Sequence, residues 1–115
     1  MSSTPLDQNP ENLLPALRDL KREVFSRPVT EAIKRSDAAT REAFVAQRTE
    51  LTESILRLET AQLSDIRKQL EAHGQSLEEG IAELTTSLKE LEQAAQWAQG
   101  LGKVLSLVSK VIPVV

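Results

Sequence analysis

Counting from Ile33, every eleventh residue as far as Leu88 is apolar: Ile33, Phe44, Ile55, Ile66, Leu77 and Leu88. Eleven residues make almost three turns of α-helix, so these side chains fall nearly in line, drifting by about 20° per repeat. Leu51, Leu58, Leu70, Ile81, Leu84 and Leu91 widen the line into an interaction seam. A chain patterned this way folds into long amphipathic helices that pack against other helices. The expected class is all-α, a long helical hairpin or coiled-coil-like bundle.

The rest of the composition agrees with that class. Tyr and Cys are absent and the aromatic residues are Phe25, Phe44 and Trp97. Long charged helices bury a seam rather than a thick core, so self-association or a helical partner is expected to cover part of the apolar area. Without cysteine there is no disulfide framework or thiolate chemistry. Between Ser26 and Gln75 eight Lys or Arg face eight Asp or Glu. That balance leaves no basic face for nucleic acid.

Residues 1–12, rich in Ser, Pro and Asn, read as a disordered lead-in to a single helical domain over 13–115. A short helix is expected over about 13–25, where Leu13, Leu17, Leu20 and Val24 recur at helical spacing under an Asn12 cap. Pro28 ends it and opens a second helix over about 28–72, which contains no Gly or Pro after Val29 and would extend about 65 Å. Its alanines, Ala38, Ala39, Ala43 and Ala46, would admit a close neighbour. Gly74 is a helix-stop signal, and Ser76-Leu77-Glu78-Glu79 matches a capping box, so a tight reversal is expected there. The alternative is an unbroken rod, because the eleven-residue register passes through Gly74. A third helix is expected over about 77–99, and an amphipathic segment over 101–115 after Gly100 and Gly102.

That last segment forms the cleanest amphipathic face: Trp97, Leu101, Val104, Leu105, Leu107, Val108, Val111 and Ile112 on one side, Lys103, Ser106, Ser109 and Lys110 on the other. Its face lies roughly 150° from the seam of the third helix. Either the glycines reorient the chain or the segment meets something else: the first helix, a second copy or a membrane surface. At about 22 Å of helix it would lie in a membrane interface, not cross it.

Catalytic constellations are missing. His73 is the lone histidine, expected at a helix end, and no His or Cys spacing suits a metal. The four glycines are spaced as caps and breaks, not as a phosphate loop. The expectation is a non-enzymatic interaction or oligomerisation module, with no cofactor, working through the seam, with the C-terminal face as a second contact surface. Two alternatives stand beside it: a membrane-active component whose C-terminal segment inserts, and an inhibitor or chaperone that masks a partner's helices. Met1–Pro10 lacks the parts of a secretory signal and no 18-residue apolar run occurs, so a cytoplasmic location is the default, with membrane-peripheral placement or signal-less secretion left open.

Overall fold

The computed structural model describes residues 10–90 and 93–112. Over these residues the chain forms a 3-10 turn, Pro10–Asn12, and five helices: α1 (Leu13–Val24), α2 (Arg27–Lys34), α3 (Ala38–Thr60), α4 (Leu63–Lys89) and α5 (Ala94–Val111). The all-α expectation stands. The long hairpin about Gly74 does not.

Three corrections follow from where the helices stop. The second helix of the sequence reading is cut twice, and neither cut is at Gly74. Asp37 opens α3 by accepting the Thr40 N–H at 2.8 Å, which satisfies one of the donors left free at a helix start. Hydrogen bonds at Thr40, aided by Arg41, hold its carboxyl below the ordinary aspartate pKa. The second cut is an extended pair, Ala61 and Gln62, where the chain turns from α3 into α4. Gly74 and Gly80 are helical residues buried inside α4, and His73 lies in the interior of the same helix. The third correction concerns the end of the lead-in: Pro10–Asn12 is a 3-10 turn running directly into α1.

α5 is also longer than the sequence suggested. It starts at Ala94 and passes through Gly100 and Gly102 without a break. The reversal falls between Lys89 and Ala94, ahead of Trp97. This resolves the opposed faces: the chain folds back, so the seam of α4 and the arc of α5 meet each other. Gly80 lies opposite Val104, Leu84 opposite Gly100, and Ser87 opposite Trp97, so the two helices run antiparallel. A Cβ on Gly80 would stand 3.4 Å from the Val104 side chain, and one on Gly100 would stand 3.2 Å from the Leu84 tip. The glycines read as breaks are points of close approach between helices.

α1 runs antiparallel to α3, with Arg18 against Glu59 at one end and the Val24 carbonyl against Arg48 at the other. α1 and α5 each pack against both α3 and α4, and α2 braces the start of α3. The longest dimension is 42 Å, about the length of the 27-residue α4 at 1.5 Å per residue. That is too short for an unbroken rod. Ile33, Phe44, Leu51, Ile55, Leu58, Ile66, Leu70, Leu77, Leu84 and Leu88 are buried in one core with Leu13, Leu17, Leu20, Val24, Val29 and the α5 arc. Ile81 is partly buried against that core, and Leu91 lies outside the described residues.

Candidate functional site: an exposed groove between α1 and α3

The seam expected to hold a partner is turned inward. Its described members pack on one another within the single chain, and so does the expected second contact surface: Trp97, Leu101, Val104, Leu105, Val108, Val111 and Ile112 are each at most 5% exposed. The Trp97 indole N–H donates to the Ser87 carbonyl at 3.1 Å, and its ring meets Phe44 edge-on at 6.4 Å between centroids. Ser87 lies in the last turn of α4, so this bond ties the start of α5 to the end of α4. The α5 arc therefore faces α3 and α4, not α1, and an interfacial role would require it to leave the bundle. No helix among the described residues is long and apolar enough to cross a membrane.

A different surface stands open. The exposed large apolar side chains among the described residues are Phe25, Val45 and Leu56, at 44%, 60% and 58%. They share one place. Phe25 and Leu56 line a depression with Arg18, Lys21, Arg22 and Thr52, and Phe25 and Val45 line the next one with Arg48, Thr49 and Thr52. The two adjoin through Phe25 and Thr52, making one groove along α3 with the end of α1 as its wall.

The wall is held by Arg48. Its guanidinium donates to the Val24 carbonyl at 2.8 Å and to the Thr30 hydroxyl at 2.9 Å, tying the ends of α1 and α2 to α3. It also stacks over Phe25 at 4.8 Å and Phe44 at 5.5 Å. Phe25 is thereby fixed in an exposed position, against the tendency of an aromatic ring to bury. Partial burial lowers the Arg48 pKa, although a guanidinium remains protonated. Among the described residues Arg48 has no carboxylate partner, and its Nε is buried without an acceptor.

Sequence reasoning missed the groove because α3 carries two apolar faces and the eleven-residue repeat marks only one. The signal was present: Val45, Thr49, Thr52 and Leu56 are spaced 4, 3 and 4. Ala38, Ala39, Ala43 and Ala46, expected under a neighbouring helix, are exposed. Among the described residues no group of three His, Cys, Asp or Glu is placed to hold a metal ion.

The described residues define a small all-α bundle with an open apolar groove between α1 and α3. No family model, curated protein or solved structure matches the chain.

Proposed function

We propose that this protein is a non-catalytic helical interaction module, and that its contact surface is the α1/α3 groove, with the eleven-residue seam serving as the core that holds the groove in shape. One observation carries the reading: among the described residues, the three exposed large apolar side chains fall in a single groove. Scattered exposed apolar residues need no explanation, whereas a contiguous patch marks a contact site.

The groove suits a helix. Val45, Thr49, Thr52 and Leu56 fall within roughly 60° of one another on the α3 surface at about 100° per residue, a strip as narrow as the line of contact between two helices. Covering the exposed parts of Phe25, Val45 and Leu56 contributes about 1 kcal/mol each at the usual value for apolar burial. Part of that is lost in ordering the partners, so the expected contact is reversible and of modest affinity.

The test is a photo-activatable side chain placed at Val45 in the full-length protein inside its own cells, with the same group at the exposed Ser106 on α5 as control. Cross-linking at Val45, absent at Ser106 and abolished by Leu56→Asp, is the expected result. Equal labelling at the two positions, or labelling that survives Leu56→Asp, overturns the proposal.

A further inference from the structure

We infer that the groove's occupant is an acidic amphipathic helix of a partner protein, whose apolar stripe covers Val45 and Leu56 and whose carboxylates meet Lys21 and Arg48 beside Phe25; the inference rests on the groove being a docking surface. The charges that the groove leaves unpaired select this occupant.

Charged side chains line both depressions, and most of them are paired within the chain. Arg18 meets Glu59 at 3.1 Å, Arg22 meets Asp19 at 2.7 Å, and Glu53 faces Arg57 at 4.0 Å. Lys21 lines one depression and Arg48 the other, and neither has a carboxylate partner among the described residues. Arg48 bonds the Val24 carbonyl and the Thr30 hydroxyl, both uncharged. The two cations converge on one ring: the Lys21 Nζ stands 5.7 Å and the Arg48 guanidinium carbon 4.8 Å from the centroid of Phe25. That ring is common to the two depressions.

This placement limits what can lie in the groove. Lys21 and Arg48 are already half-buried. A body that covers Phe25, Val45 and Leu56 together covers both cations as well. A purely apolar cover would strip solvent from two unpaired charges, at a cost larger than the covered apolar side chains return. A carboxylate in the same place replaces that solvent with a charge-assisted hydrogen bond. A small free anion would pair the cations and leave the apolar strip bare. The acid must therefore be carried on an apolar helix, and on one flank only. The flank turned to α1 meets Lys21 and Arg48, whereas the opposite flank meets Glu53. Two acids four residues apart fall on the same flank of a helix.

The experiment is selection from a displayed library of helical peptides about four turns long, with the full-length protein as bait. The stripe is fixed as Leu at spacings of four and three, and both flanks vary among Glu, Gln, Lys and Ala. Binders should be enriched in Glu over Gln on one flank, and Leu56→Asp as bait should lose them. A selected peptide remade with Gln for its Glu residues should bind about fivefold more weakly, the scale of two partly screened ion pairs. That gap should close near 1 M salt, where screening acts within about 3 Å. Lys21→Met retains the stem over Phe25 without its charge, and should narrow the gap to about twofold. Lys21→Glu should bind the Glu peptide most weakly and regain affinity for a version carrying Lys there. Circular dichroism should show both Lys21 variants and Leu56→Asp folded as the wild type, and Arg48 is left intact because it ties three helices.

Leu56-dependent binders without an acidic flank overturn the inference and leave the groove as a dock for an apolar helix. A Glu/Gln gap unchanged in Lys21→Met overturns it too. A free chain whose mass doubles with concentration, and does not in Leu56→Asp, assigns the groove to a second copy and overturns it as well. The absence of any Leu56-dependent peptide removes the acidic helix, and cross-linking at Val45 then decides whether the groove falls with it.

Discussion

Replacing Gly80 by Ala tests the packing of α4 against α5 more sharply than deleting a core residue would. Gly80 is buried within a continuous helix, where glycine is about 1 kcal/mol less favourable than alanine. The added Cβ would stand 3.4 Å from the nearest Val104 methyl, which is ordinary van der Waals contact, with no other heavy atom pressing on it. Gly80→Ala should therefore stabilise the protein by about 1 kcal/mol, raising Tm by roughly 4 °C for a chain of this size. Gly100→Ala is the internal control. It has the same propensity gain, but its Cβ falls 3.2 Å from the Leu84 tip and under 4 Å from two further Leu84 atoms. Displacing that leucine within a packed core offsets the gain, so the expected change is near zero or negative. Thermal melts followed by circular dichroism, together with urea titrations at unchanged m, read both variants. A Gly80→Ala protein that melts at or below the wild type refutes the helix spacing described for this hairpin. So does Gly100→Ala proving the more stable of the two.

Three further outcomes follow from the same contacts. Trp97→Ala should cost about 3–5 kcal/mol, because it empties a fully buried site and removes the indole N–H that donates to the Ser87 carbonyl; chemical denaturation measures it, and a loss below 1 kcal/mol would contradict the burial. Arg48→Met retains the side-chain stem but loses the bonds to Val24 and Thr30, which should cost about 1–2 kcal/mol after allowance for solvent screening. Hydrogen exchange should then quicken at the end of α1 and in α2 before it does in α5, and uniform quickening would show that Arg48 is not the tie between them. Asp37→Asn keeps a good helix cap without a titrating group. The lowered carboxyl pKa of Asp37 adds stability that is present above the unfolded-state pKa and lost as the pH falls through the folded-state value, so the variant should lose less stability than the wild type on acidification below about pH 4. Identical acid profiles would exclude the cap as a source of that slope.

The burial pattern was legible in the sequence and the chain path was not. Every described member of the seam lies in the core or against it, because a 3.6-residue period marks the inward side of a helix wherever that helix ends up. The reversals followed weaker rules. Gly74 and the Ser76–Glu79 box are local signals, each worth about 1 kcal/mol. Keeping α4 straight aligns Ile66, Leu70, Leu77, Leu84 and Leu88 on one buried side, with roughly 1.5–3 kcal/mol at stake for each. Tertiary burial outweighs the stop signal. The real break at Ala61 and Gln62 uses no glycine or proline, so nothing in composition announces it. The break before α3 was announced by Asp37 and Thr40, a cap overlooked inside a run of good helix formers.

The eleven-residue register crosses both real breaks, from Ile33 to Phe44 and from Ile55 to Ile66, and this bears on what the register means. A non-helical link of two or three residues can rotate the next helix to any phase, so an unbroken period cannot report an unbroken helix. It reports only that each helix presents one apolar side. The same reasoning locates the functional surface. Once a bundle has turned its strongest stripe inward, the side chains left for contact are those the dominant period does not account for. Here they are Phe25, Val45 and Leu56, held outward where Arg48 joins three helices. Had the seam itself been the docking surface, Ile55→Asp would abolish association and leave the monomer folded. With Ile55 in the core at 6% exposure, the substitution buries a charge and should unfold the chain. Val45→Asp, at 60% exposure, should leave it folded and remove only the contact.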